Sequence, residues 1–142
     1  MRYLFVIACA LVTFSGRAAT WYVSTTGNDT TGSGAFGSPY RTIGKAHTSA
    51  SNGDTIELAA GTYDEHTSIT KSNITLLSTV PGMAGTKHVR VQASGLKIDG
   101  VRFEHFSDQQ SPDGQSRNAN VRIETAASDI IITNCVFTNA VY

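Results

Sequence analysis

The chain has 142 residues, eleven Lys+Arg balanced by eleven Asp+Glu, and two cysteines. That length allows one domain, and a balanced charge without a concentrated basic surface argues against nucleic acid as the main partner. No Cys/His run has metal-site spacing, and no Ser or Cys nucleophile motif occurs.

The first residues direct export. Met1-Arg2 is a basic start, Tyr3 to Phe14 is apolar, and Ser15-Gly16-Arg17-Ala18 places small residues at the minus-three and minus-one positions for cleavage after Ala18. The apolar run is shorter than the about 20 residues that a bilayer span needs. Val6-Ile7-Ala8-Cys9 resembles a lipoprotein box but falls inside the apolar run, so lipidation is set aside. Residues 1–18 therefore read as a signal peptide, and the mature chain is expected to be secreted, periplasmic or at the cell surface, with no membrane association. Removal of Arg2 and Arg17 leaves nine basic against eleven acidic residues in a mature chain of 124. Cys9 leaves as well, so Cys135 has no partner for an internal disulfide, and packing and backbone ladders must hold the fold.

Residues 19–53 read as a strand, a loop and a capping helix. Trp21-Tyr22-Val23-Ser24 is a short strand, and the glycine-rich stretch from Gly27 to Gly37 is a loop. Asp29 within it is a possible cation ligand, but such residues more often cap backbone amides. Ser38 as cap, Pro39 at the first helical position and Asn52-Gly53 at the exit predict a helix over 39–51. Tyr40, Ile43, Ala46 and Ala50 form its apolar stripe, and His47 beside them is read as packed or surface, with no role.

Residues 54–142 change period. Thr55-Ile56-Glu57-Leu58, His88-Val89-Arg90-Val91-Gln92 and Asn120-Val121-Arg122-Ile123-Glu124 alternate as short strands with one buried face. Leu96, Ile98, Val101 and Phe103 match Ile130, Ile132, Cys135 and Phe137 at an offset of 34, with Gly100 and Asn134 at the same central point. Both types tolerate left-handed backbone, which predicts a sharp corner between two strands. Ile74-Thr75-Leu76 precedes Leu96-Lys97-Ile98 by 22, and the twelve polar residues Ser107–Asn118, taken as an insertion, reconcile the two offsets. Repeats of this length mean stacked units, and the leucine-rich alternative lacks its consensus.

The stretch Trp21 to Glu65 resembles the N-terminal region of bacterial pectate lyase-like, pectin lyase-fold proteins. The residues that carry the resemblance are Tyr22-Val23-Ser24, Gly27 with Asp29, Pro39-Tyr40-Arg41-Thr42-Ile43 with Ala46, Gly53-Asp54-Thr55-Ile56, and Gly61-Thr62-Tyr63 with Glu65. Leu96 to Asn139 is similar to the coils of chondroitinase- and alginate-lyase-type enzymes. The resemblance implies an all-β right-handed parallel β-helix: an N-terminal capping helix and about three coils. With Val141-Tyr142 directly after an apolar strand, the solenoid reads as truncated. It also implies an enzyme cleaving uronic-acid polysaccharides by β-elimination, with a base at the C5 proton and a positive group, often Ca²⁺, at the carboxylate. Such residues usually come from central coils, so none is carried over, and catalytic residues are left unassigned. One scaffold serves many functions, and a non-catalytic glycan-binding or adhesion module is the alternative; a capping piece without a function of its own is a third.

Binding residues are suggested by the alternation. With Val121 and Ile123 inside, Asn120, Arg122 and Glu124 face outward, as do His88, Arg90 and Gln92 one coil earlier. Stacking in this register puts Arg90 and Arg122 about 5 Å apart, beside the insertion. Arg90, Arg122 and Glu124 thus outline a groove for an anionic polysaccharide, which arginine recognises bidentately; the plainer reading is cross-strand ion pairing. Lys97, Asp99, Arg102 and Glu104 are read as structural, and His105 as a proton carrier without an evident partner. No outward face gathers several Asp, so no metal ligands are assigned and Ca²⁺ would belong to the full-length protein.

Overall fold

A computed structural model describes residues 17–106 and 121–140. Most of the expected leader and all of the expected insertion Ser107–Asn118 lie outside the described residues. The elements are β1 (Thr20–Val23), α1 (Ile43–Ser49), β2 (Thr55–Leu58), β3 (Gly61–Ile69), β4 (Thr75–Ser78), β5 (Ala84–Val91), β6 (Lys97–Asp99), β7 (Val101–Phe106), β8 (Val121–Ile123), β9 (Ile131–Thr133) and β10 (Val136–Ala140). They form two sheets, ordered β1-β2-β4-β6-β9 and β10-β7-β5-β3, with β8 on the far half of β5. The ladders between these strands run parallel.

Each coil passes from one sheet to the other and returns to the next position, so the expected offsets appear as register. Thr75 pairs Lys97, which pairs Ile131, steps of 22 and 34. β2–β3, β4–β5 and β6–β7–β8 make three coils, and β9–β10 begin a fourth. Inward residues stack in columns: Ile56, Leu76 and Ile98 are fully buried, with Ile132 next in line. Phe103 is fully buried and stacks on Phe137 with ring centroids 5.0 Å apart. Burial of each such side chain contributes about 1.5–3 kcal/mol. The corner at Gly100 and Asn134 is left-handed at both positions, φ 69° and 52°.

The helix departs from its expected bounds. It begins at Ile43, not Pro39, and Thr42 rather than Ser38 is the cap, its Oγ1 accepting from the Lys45 amide at 3.1 Å. Residues 38–41 are held extended instead, because Ser38 bridges Ala35 and Tyr40 bridges Val23. It ends at Ser49, and Gly53 serves a corner further on. Tyr40, Ile43, Ala46 and Ala50 are all buried, so the apolar stripe survives the shorter helix. His47 is packed, its Nε2 accepting from the Thr70 amide at 3.2 Å. α1 packs on β1, β2 and β3, the end that includes the edge strands of both sheets, which covers an edge that would otherwise invite pairing.

Acidic side chains fasten this cap. Asp29 Oδ1 accepts from the amides of Arg41 (2.7 Å) and Thr42 (3.1 Å), and Oδ2 from the Thr42 hydroxyl (2.8 Å), so it ties the loop to the helix entry. The register of β3 on β5 shifts between Tyr63 and His66. Glu65 lies within that irregularity and accepts from the amides of Ile43 (2.7 Å) and Gly44 (3.0 Å). Glu65→Ala leaves those amides unpaired and is expected to cost about 1–3 kcal/mol, measured by urea unfolding. An unchanged midpoint would mean that the contact contributes nothing to holding the helix on the first coil.

Candidate functional site

The arginine pair sits on the far half of β5 and on β8 beside it. Val89 and Val91 point into the core and are fully buried, so Arg90 between them points outward. β8 stands in register one coil later, the ladder pairing Val89 with Val121, Arg90 with Arg122 and Val91 with Ile123, but Ile123, expected inside, is 49% exposed, with no described strand beyond it in that ladder. Ser68 precedes Arg90 in the same column. The expected stacking of Arg90 on Arg122 is therefore present.

Glu124 joins the two. Its amide donates to Val91 O at 2.9 Å, which sets the residue at the end of this ladder. Its Oε1 lies 2.7 Å from Arg90 Nε and 3.2 Å from Arg122 Nε. The Arg90 hydrogen bond, helped by the charges of Arg122 and Arg90, holds the Glu124 carboxyl below its ordinary value against the opposing effect of desolvation. One carboxylate thus faces two guanidiniums on a face where all three side chains remain accessible. Arg90–Glu124 is a cross-strand ion pair and Arg122–Glu124 a pair along one strand, as the plainer reading of these residues anticipated.

The adjoining outward column holds His66 and His88, paired in register with ring centroids 5.8 Å apart. His88 was expected to be exposed like Arg90, but it is 9% exposed, covered partly by the neighbouring imidazole. The side chain of His105 lies outside the described residues. Lys97–Asp99 (3.1 Å) and Arg102–Glu104 (2.6 Å) are ion pairs within one strand, as the structural reading of those residues anticipated. Arg102 also donates to Gly82 O at 2.9 Å and crosses Gly85, where a Cβ would lie 3.0 Å from its guanidinium. Gly85 is thus the space that lets Arg102 lie flat across two coils.

A surface notch of about 260 Å³ includes Thr25, Arg41, Thr62, Asp64 and Glu65 in its wall. Its acids are engaged, Glu65 with the helix amides and Asp64 with Lys87. Among the described residues no three His, Cys, Asp or Glu side chains gather as a metal ion requires. Asp29, Asp54 and Glu65 turn their oxygens to backbone and indole N–H groups. These carboxylates do not fit the six to eight oxygen ligands of Ca²⁺.

Two signals escaped the sequence reading. Gly53, Asn73, Gly95 and Asp129 form a second column of left-handed corners, with φ of 89°, 58°, 78° and 56°. They recur at the same steps of 22 and 34 after Asn73, so the offset that located Gly100 and Asn134 locates them too. Asp54, marked in the sequence only as part of the Gly53-Asp54-Thr55-Ile56 resemblance and given no role there, is 5% exposed and gathers three N–H donors.

Residues 25–74 match the family described as "Protein of unknown function (DUF1565)". Among solved structures, the chain is similar to a pectin methylesterase in complex with hexasaccharide VII, with a TM-score of 0.60 and 14% identity over 84% of this chain and 45% of that one. A second is pectin methylesterase PemA from Erwinia chrysanthemi, with a TM-score of 0.57 and 13% identity over 84% of this chain and 49% of that one. The chain is a right-handed parallel β-helix. At these identities the likeness shows the β-helix fold alone, and the chain spans about half the length of the structures it matches. No curated protein sequence matches it.

Proposed function

We propose that this β-helix is the N-terminal portion of an exported protein acting on uronic-acid polysaccharides, most plainly by β-elimination, and that Arg90, Arg122 and Glu124 form part of its surface for the anionic chain. The observation that carries the reading is the stacking of Arg90 on Arg122 around one shared carboxylate. Support comes from the shared fold with a pectin methylesterase described in complex with a hexasaccharide, and from the leader pattern of residues 1–18. Successive coils of a parallel sheet lie about 4.8 Å apart, close to the advance of one pyranose unit. In β-elimination a base removes the C5 proton and cations stabilise the charge that develops at the carboxylate. Arg90 and Arg122 would supply that charge, and the proposal places the base and any Ca²⁺ ligands in coils other than those described.

The full protein, incubated with pectate, alginate and chondroitin with and without Ca²⁺, is expected to release unsaturated products detectable by ultraviolet absorbance. Binding without any product would turn the reading to a glycan-binding or adhesion module, which the same strip serves equally well. Arg90→Ala combined with Arg122→Ala is expected to weaken binding of the anionic chain at least about tenfold, since charge-assisted bonds to carboxylates are the strong ones. The loss should shrink at high salt, where exposed charges are screened. Equal binding by the double variant and the parent protein would remove the strip from the site.

A further inference from the structure

Ala19 occupies an unusual position. Its amide donates to Asp54 Oδ1 at 2.8 Å, and its carbonyl accepts from the Thr55 amide at 2.8 Å. Asp54 Oδ2 accepts from Trp21 Nε1 (2.9 Å) and the Ser51 amide (2.8 Å). Arg17 and Ala18, immediately before, are exposed and belong to no strand. Among the described residues, the first that the fold holds by hydrogen bonds is therefore the one that the leader pattern places just after the scissile bond.

Asp54 is charged and buried without a contacting cation. Burial raises its pKa, but the hydrogen bonds from the Ser51 amide, the Trp21 indole and the Ala19 amide outweigh that, with help from the Lys71 charge, so the carboxyl titrates below its ordinary value. Lys71 does not touch it: its ammonium donates to the carbonyls of His47, Thr48 and Ala50. Of the titratable groups on the helix, His47 turns its Nε2 to the Thr70 amide and Lys45 lies over the Tyr40 ring. The carboxylate is held by neutral N–H donors, and a cation in place of one of them would strengthen that bond.

We propose that Ala18–Ala19 is a processing site whose cleavage supplies that cation: Ala19 N, an amide donor in the precursor, becomes an α-ammonium bonded to Asp54, and the new terminus locks β1 onto the first coil. The inference rests on the export reading. A signal peptidase adds water across the peptide bond; the Ala18 carbonyl carbon takes the hydroxyl and Ala19 N takes the proton. A further proton from solvent completes the –NH3⁺ group, whose ordinary pKa is about 7.7–8.0. A bond between two charged partners is roughly twice as strong as one between neutral groups, and the change falls on a group already positioned, at no further ordering of the chain.

The sign of the pH effect follows. Pairing raises the folded-state pKa of the α-ammonium, so its contribution is complete below the ordinary value and is lost as pH rises through the folded one. Asp54, held low, contributes above its ordinary value and loses that contribution on acidification.

The test exports the 1–142 chain from a bacterium, alongside a variant with one glycine inserted between Ala18 and Ala19, which returns Ala19 N to an amide. N-terminal sequencing is expected to find Ala19 in the first and the inserted glycine in the second. At pH 6.5 the processed protein should melt about 4 °C above the inserted one, and the gap should close above about pH 9–10 as the terminus loses its proton. A processed terminus other than Ala19 overturns the Ala18–Ala19 site while leaving export intact; an uncleaved Met1 terminus overturns the export reading as well. Ala19 with superimposable melting curves overturns the ion pair while leaving export intact. Asp54→Asn should abolish the pH-dependent gap; if that variant does not fold, the glycine insertion decides alone. Glycan binding by the same preparations reads the arginine strip separately, since the two sites share no residue.

Discussion

Ile98→Ala is expected to lower the free energy of unfolding by about 2–5 kcal/mol, the range for truncating a buried isoleucine that leaves a cavity. Ile98 is fully buried in the middle of the column Ile56–Leu76–Ile98–Ile132, so it packs both on the coil before it and on the coil after it. In a solenoid each repeat contacts only its neighbours, and stability is a sum of repeat and interface contributions. One truncation at Ile98 therefore weakens two interfaces. Ile132→Ala removes the same atoms from a residue 37% exposed and facing one described neighbour in that column, so a loss of about 1 kcal/mol is expected from its smaller buried area. Urea unfolding of both variants checks the ratio. Equal losses would contradict a column that transmits packing through Ile98, because burial differs while the chemistry deleted does not. A loss at the upper end would consume much of a domain stability that is typically 5–15 kcal/mol.

The coil was legible because its signals are local and repeat. Leu96, Ile98, Val101 and Phe103 announce their pattern again at Ile130, Ile132, Cys135 and Phe137, and the offset is the register itself. The helix start was misplaced for a physical reason that lies far away in sequence. Ser38 and Pro39 satisfy the local rules for a helix entry, but Asp29 and Val23 hold the next residues extended until Thr42. Tertiary hydrogen bonds twelve and thirteen residues distant outvoted propensity. The binding strip was half legible: alternation put Arg90, Arg122 and Glu124 on one face, yet the single oxygen shared by both guanidiniums depends on side-chain reach.

The same distinction explains why the resemblance over Trp21 to Glu65 speaks for architecture and says little of chemistry. Its polar residues are fasteners. Asp29 pins the loop to the helix entry, Asp54 gathers Ala19, Trp21 and Ser51, and Glu65 caps the helix. Tyr63 reaches the carbonyls of Val23 and Ala59, and burial, with the Glu65 charge adding, pushes its phenol up to about 12, so it stays a donor across the physiological range. Side chains fully occupied in holding a cap are poorly placed to bind substrate. The matched family stretch, 25–74, covers the same fasteners but ends before Arg90 and Arg122. Function on this scaffold is therefore expected to vary where the family match stops.

Gly95→Ala is the second change with a large expected effect. Gly95 adopts φ 78°, a left-handed conformation that costs an L-residue about 1–2 kcal/mol. A Cβ there would also lie 2.1 Å from Asn73 Oδ1 and 3.2 Å from Asn73 Cα, atoms of the corner one coil earlier. The two penalties together are expected to reach about 2–4 kcal/mol, beyond the usual range for a surface glycine. Gly53 provides the comparison, since it shares the left-handed backbone at φ 89° but a Cβ on it meets nothing within 4 Å. Gly53→Ala should therefore cost only the conformational part, about 1–2 kcal/mol. Asn73→Gly removes the colliding side chain, so in that background Gly95→Ala should fall toward the Gly53→Ala value, a coupling of about 1 kcal/mol or more between residues in contact. Thermal unfolding of the four members of that cycle measures it. Strict additivity would mean that the corner column is a set of independent turns; the contact of Gly95 with Asn73 instead makes each corner the floor on which the next coil turns.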